Sequence, residues 1–220
     1  MKSPSLAGIA KALRESEIPP RFQPDESRLL IQLWRLVAEG RPVSPQRVEE
    51  VASTLHVPLA AATSFVSKVS ERDAEGNIVG IVGLSQKSHP HRFEVNGHTL
   101  STWCAWDSLF LPIVLNQTAR VQSSCPATKV TIRLTVTPEK VKEVEPPGAV
   151  MSLVVPEVTK SGRESVEEVW MTFCHFVHFF SSPEAASKWF SGKNREPILL
   201  SVEEGYRLGR MAFEELLRDV

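Results

Sequence analysis

The sequence predicts an α+β fold: an N-terminal winged-helix-like helical domain, then a mixed or antiparallel β-sheet domain with flanking helices. Three patterns predict it. Apolar residues recur at three- and four-residue spacing through the first third of the chain. Beyond Ile78 they alternate in short runs bounded by turn residues such as Asn96-Gly97 and Pro146-Pro147-Gly148. Helical periodicity then returns near the C-terminal end, over residues 203–218. The expected division is an arm over 1–24, a winged-helix-like domain over 25–84 and a second α+β domain over 85–220. The boundary falls in the polar, breaker-rich run Ser85-Gln86-Lys87-Ser88-His89-Pro90.

The arm is expected to be loosely attached, with a short helix around 6–17 broken by Pro19, Pro20 and Pro24. A helix follows over 26–39, where Leu29, Leu30, Leu33, Trp34, Leu36 and Val37 supply the apolar face. Asp25 or Ser27 is its expected cap, and Gly40 sits where a left-handed C-terminal cap belongs. Ser44-Pro45, an N-cap followed by proline at the first helical position, opens a helix to residue 55. His56-Val57-Pro58 turns the chain into a helix over 59–70. With the turn Asp73-Ala74-Glu75-Gly76-Asn77 and a β-stretch over 78–84, three helices and a hairpin make the winged-helix pattern. Further on, Phe93 and Val95 alternate ahead of Asn96-Gly97, a two-residue hairpin signal. A short helix is expected over 103–111, and strands at Val121 and over 130–136, 150–155, 176–180 and 198–202. Ser182-Pro183 starts a helix to residue 190, and an amphipathic helix over 203–218 closes the chain.

Composition excludes several classes. The 220 residues are 42% hydrophobic and 23% charged, enough apolar material for a real core. A formal net charge of −1 points to neither nucleic acid nor anionic lipid. No apolar run approaches the roughly 18 residues of a membrane span. The mixed, charged N-terminal segment lacks a signal-peptide core, so the expected compartment is the cytoplasm. Three cysteines are too few for a disulfide framework, and reduced thiols are expected. A winged helix would suit DNA, but ten Lys and Arg balance ten Asp and Glu over the first 80 residues. The helix over 59–70 carries only Lys68 as a cation, and phosphate contacts dominate DNA affinity. The unit is therefore read as a scaffold.

The chemistry lies in Trp103-Cys104-Ala105-Trp106-Asp107 and Phe173-Cys174-His175-Phe176-Val177-His178. If Ser101 or Thr102 caps the helix, Cys104 falls in its first turn, where free N–H groups and the dipole favour a thiolate. The competing reading is a small buried hydrophobe. Asp107, at i+3, shares a helix face with Cys104. Among Trp103, Trp106, Leu109, Phe110 and Leu111 its carboxyl would be desolvated, raising its pKa so that it holds a transferable proton. A solvated or bracing aspartate is the alternative. Cys174 beside His175 and near His178 allows a Cys–His nucleophile pair or zinc. Zinc ligand spacing is absent, with no Cys-x-x-Cys and no His-x-x-x-His. On a strand, His178 would share the parity of Cys174 and His175 would face the other way; both are read as satisfied polar residues at a strand's edge. Cys125, at a strand end before Pro126, is read as structural.

Taken together these segments resemble the organomercurial lyase (alkylmercury lyase) family. Trp103-Cys104-Ala105-Trp106-Asp107 is similar to its Trp-Cys-Ala-x-Asp core. Thr118-Ala119-Arg120-Val121-Gln122-Ser123-Ser124-Cys125 is similar to its Thr-Ala-Arg-Val-x-Ser-x-Cys segment. Cys174 with Val177-His178-Phe179-Phe180 is similar to its second cysteine and Val-His-Phe-Phe run. Gly40-Arg41-Pro42-Val43-Ser44, residues 73–78 and Val144-Glu145-Pro146 resemble it too, so the likeness spans 25–218 in order. His175 stands where some members have another cysteine, Trp106 replaces a smaller apolar residue, and residues 1–24 have no clear counterpart.

The resemblance implies protonolysis of a carbon–mercury bond, giving a hydrocarbon and Hg(II), as in mercuric resistance. It implies Cys104 and Cys174 as the two thiolates, Asp107 as the proton shuttle, and all three as holders of the Hg(II) product. It also implies a structural Cys125, no required cofactor, low-molecular-weight exogenous thiols for turnover and mercuric reductase as Hg(II) acceptor. Thiolates are the soft ligands a soft ion takes, and apolar walls from Trp103, Trp106 and Phe residues would suit alkyl or aryl groups. Two sulfurs bridged by one linear mercury should lie roughly 4–5 Å apart, on the order of a disulfide's Cβ–Cβ separation. The alternatives are a mercury- or metal-responsive winged-helix binding protein, which predicts salt-dependent DNA binding, and a Cys-nucleophile hydrolase, which predicts dependence on His175 or His178.

Overall fold

A computed structural model describes residues 5–156, 166–193 and 195–218. Helix α1 (Leu6–Glu15) starts where the Ser5 hydroxyl accepts the Gly8 N–H at 3.2 Å. Helix α2 (Pro24–Val37) begins two residues ahead of expectation, with Gln23 as its cap rather than Asp25 or Ser27. The fixed φ of Pro24 suits the first helical position, and the Gln23 N–H is satisfied by the Glu26 carboxylate at 2.9 Å. Gly40 takes φ +73°, and Ser44 caps α3 (Pro45–Thr54). Helix α4 (Leu59–Val69) leads into β1 (Ser70–Arg72) and β2 (Ile78–Ile81). The β-stretch expected over 78–84 is broken by a turn at Val82 (φ +22°) and Gly83 (φ +84°), after which β3 (Leu84–Ser85) resumes. The buried Trp34 indole of α2 holds this turn, donating to the Ile81 and Val82 carbonyls at 3.1 and 2.9 Å.

Strands β4 (His91–Val95) and β5 (His98–Thr102) flank Asn96-Gly97, both at positive φ as that two-residue hairpin demands. Helix α5 is Asp107–Leu115, four residues later than the expected 103–111. Then come β6 (Ala119–Ser124), β7 (Thr131–Val136), β8 (Val141–Glu145), β9 (Val150–Leu153) and α6 (Val166–Thr172). Cys174–Phe176 is a 3-10 turn, and only Phe179–Phe180 of the strand expected over 176–180 is extended, as β10. Helix α7 (Pro183–Phe190), β11 (Ile198–Ser201), α8 (Val202–Ala212) and α9 (Glu214–Leu217) complete the order. The closing helix divides at Phe213, whose ring stacks on Phe110 with centroids 3.9 Å apart.

Eight antiparallel strands form one sheet in the order β1-β2-β3-β5-β4-β6-β7-β8, and β10-β9-β11 form a smaller one. Leu84 pairs with Thr102 and Ser85 with Ser101, so strands on both sides of residues 86–90 belong to the same sheet. Helix α5, apolar all round, is buried between α2 and α8. Over its described residues, from Ser5 on, the expected loose arm is instead docked. Ile9, Ala10 and Leu13 are buried, α1 packs on α8, and the Ser16 hydroxyl donates to the Pro156 carbonyl at 2.8 Å.

Candidate active site

Cys104 does not lie in a helix. Ser101 and Thr102, the expected caps, are the last residues of β5, and α5 begins only at Asp107. Between them the chain bends sharply. The Trp103 N–H donates to the Gly83 carbonyl at 3.0 Å, and the Thr102 hydroxyl donates to the Cys104 carbonyl at 3.0 Å. The Asp107 carboxylate reaches back to accept the Cys104 N–H at 2.8 Å. Cysteine and aspartate thus meet through a side-chain-closed turn, not through one helix face.

Cys174 arrives on the 3-10 turn, closed by Phe176 N–H to Phe173 O at 2.9 Å and Val177 N–H to Cys174 O at 3.1 Å. Ser152 of β9 braces it, donating to the Phe176 carbonyl at 2.7 Å and accepting the His178 N–H at 3.1 Å. The Ala105 N–H donates to the Val177 carbonyl at 3.1 Å and ties the two turns together. As a result Cys104 Sγ, Cys174 Sγ and an Asp107 carboxylate oxygen all lie within 4.8 Å of one another. Their residues are 0%, 4% and 8% exposed. That separation suits one linearly bridging soft ion.

Burial governs the protonation of this cluster. It pushes the Asp107 carboxyl up to about 6, against the pull of its Cys104 hydrogen bonds and the His89 charge. Burial, the Cys174 hydrogen bond and the Asp107 charge raise the Cys104 thiol well above its ordinary value. The hydrogen bond with Cys104 favours the Cys174 thiolate, but burial and the Asp107 charge outweigh it and leave its pKa raised. The expected helix-stabilised thiolate at Cys104 is therefore replaced by a resting pair of protonated thiols beside a carboxyl that titrates near 6.

The histidines stand apart. His178 Nε2 donates to the His175 carbonyl at 2.9 Å, and its ring packs against His91 and Trp189. Burial depresses its pKa to about 4. Because this segment is a turn, the strand-parity argument does not apply, and neither histidine joins the cluster. Cys125 is fully buried at the end of β6, with its Sγ accepting from the Ser181 hydroxyl at 3.7 Å, outside the cluster. Trp106, read as a pocket wall, is core: 1% exposed, packed on Phe110, Phe173 and Phe213, and donating to the Gly205 carbonyl at 3.0 Å.

The sequence pattern of the family described as alkylmercury lyase matches residues 84–214. An alkylmercury lyase of Streptomyces lividans is 39% identical over 84% of this chain and 83% of its own length. The chain belongs to the alkylmercury lyase family. A Pseudomonas putida member is 37% identical over 96% of this chain and 93% of its own, and a Staphylococcus epidermidis member 39% over 81% and 78%. A solved structure described as the mercury-bound form of MerB2 shares the fold, with a TM-score of 0.74 and 22% identity over 94% of this chain and 98% of that one.

Two residues at the site of this lyase-family chain gave no sequence signal. Gly83 lies so close to Asp107 that a Cβ would fall 2.7 Å from the carboxyl Cγ and Oδ1. Glu71, in the middle of β1, accepts the Trp103 indole N–H and the Ser85 hydroxyl at 3.0 Å, and faces His89 Nε2 at 3.3 Å. Each contact joins segments more than ten residues apart, which no local periodicity records.

Proposed function

We propose that this chain cleaves carbon–mercury bonds by protonolysis, with Cys104 and Cys174 as the mercury-binding thiols and Asp107 as the proton carrier. The buried Cys104–Asp107–Cys174 cluster carries the reading. Mercury in R–Hg–SR′ exchanges its thiolate for one protein thiolate, and R′SH leaves with that thiol's proton. The second thiol passes its proton to Asp107 as its sulfur bonds to mercury, because a bound soft cation strongly favours thiolate. The second S–Hg bond weakens the C–Hg bond, and the departing carbon takes the proton from Asp107 as R–H. Two thiol protons are consumed: one leaves on the displaced thiol and one on the hydrocarbon. Hg(II) remains on two sulfurs with the carboxylate alongside.

The residues themselves supply soft ligand and proton, so this chemistry calls on no organic cofactor. Low-molecular-weight thiols remove Hg(II) by exchange and re-protonate Cys104 and Cys174, and mercuric reductase is the proposed acceptor. Residues 25–84 serve as scaffold for the turn bearing Cys104. Among the described residues no helix is long and apolar enough to cross a membrane. A Cys–His hydrolase would need an imidazole beside its sulfur, and among the described residues the group beside both sulfurs is the Asp107 carboxyl. Incubation with phenylmercury and excess thiol tests the reading through benzene release. Robust cleavage by Cys174→Ala or Asp107→Ala would sink the assigned roles.

A further inference from the structure

We infer that Glu71 is a positioning residue for carbon–mercury cleavage, acting through Trp103 on the turn that carries Cys104. Trp103 is attached to the β1-β2-β3 meander at two points. Its backbone N–H donates to the Gly83 carbonyl at 3.0 Å, and its indole N–H donates to the Glu71 carboxylate. The next residue is Cys104, whose own N–H is held by Asp107 at 2.8 Å. The meander also sets Asp107 directly, through Gly83 in its β2–β3 turn, which packs against the carboxyl. Thiol and carboxyl are thus both registered on one three-stranded meander, Cys104 by way of Glu71 and Trp103, Asp107 by way of Gly83.

The room for this carboxylate is built in. A Cβ on Gly80 would fall 2.9 Å from the Glu71 carboxyl carbon and from the Ser85 hydroxyl. Trp103 is 5% exposed, so without Glu71 its indole N–H would be a buried donor lacking its acceptor. The turn would relax to find another, and proton transfer is steeply sensitive to such misplacement. Capture of mercury by a thiol is much less so.

The inference rests on the lyase reading, and the test separates the two. Benzene release from phenylmercury under excess thiol is measured for wild type, Glu71→Ala, Glu71→Gln, Trp103→Phe and Glu71→Ala/Trp103→Phe. Glu71→Ala should lower kcat about tenfold with KM within about twofold, as expected for lost alignment rather than lost binding. Glu71→Gln, which keeps an acceptor oxygen, should recover most of that loss. Trp103→Phe should match Glu71→Ala, and the double variant should be no worse than either single one, because both remove the same bond. Additive losses, a rise in KM at unchanged kcat, or an unaffected Glu71→Ala would overturn the inference. If Glu71→Ala does not fold, Glu71→Met, which fills the volume without an acceptor, replaces it in the cycle. An inactive wild type would overturn the lyase reading and this inference with it.

Discussion

The α-carbon of Gly83 rests on the carboxyl group of Asp107. A Cβ there would stand 2.7 Å from Cγ and Oδ1, and φ is +84°, a conformation that disfavours any side chain. Gly83→Ala should therefore cost both stability, about 1–3 kcal/mol in urea unfolding, and hydrocarbon release. A variant with wild-type kcat would show that the carboxyl tolerates displacement.

Asp107→Asn keeps the shape of the turn but carries no transferable proton. Benzene release should fall by about two to four orders of magnitude while Hg(II) still binds the two sulfurs. Single-turnover release together with Hg(II) titration checks both halves.

Cys174→Ala should trap the organomercurial on Cys104 with its carbon–mercury bond intact, because one sulfur cannot supply the second S–Hg bond. Intact-protein mass spectrometry should show the phenylmercury adduct and no benzene in the headspace.

Two buried groups give stability opposite pH slopes. The native pKa of Asp107, about 6, lies above its ordinary value of 3.8. The native state then holds more protons than the unfolded state between these values. Its contribution is full below pH 4 and lost as pH rises through 6, about 3 kcal/mol in all. His91, 2% exposed and hydrogen-bonded to Ser123, is depressed by burial to about 3 from 6.5. Its contribution is full above pH 6.5 and falls as pH drops toward 3. Urea unfolding between pH 4 and 8 should show Asp107→Asn gaining on wild type as pH rises, and His91→Gln flattening the acid loss. Parallel curves for all three proteins would refute both assignments.

Trp106→Phe should destabilise by about 2 kcal/mol, from lost packing and from the Gly205 carbonyl left without its donor. Thermal unfolding measures the loss, and substrate selectivity should stay close to wild type since the indole faces core.

Local patterns carried the scaffold well. Ser44-Pro45, Asn96-Gly97 and Ser182-Pro183 each mark an element start or turn that the fold contains, because caps and turns are set by neighbouring residues. The α+β class and the antiparallel strands follow from the same short-range signals. Where prediction failed, a distant contact had overridden the local one. The hydrogen bond from Trp103 to Gly83 keeps residues 103–106 out of the expected helix. The Ser152 brace helps fold the segment after Cys174 into a turn rather than a strand. Docking on α8 orders the arm.

The sequence alone therefore determined which residue types were on hand: two thiols, one carboxyl and an apolar setting. Tertiary structure decided that Cys104 and Cys174, with 69 residues between them, share one 4.8 Å cluster with Asp107. It also decided the protonation of the sulfurs, raising both thiols above their ordinary pKa values, whereas the raised Asp107 carboxyl is already expected from its apolar sequence neighbours. The reason is physical. Desolvation and through-space charge depend on what the whole chain packs around a group, and spacing along the chain does not encode that.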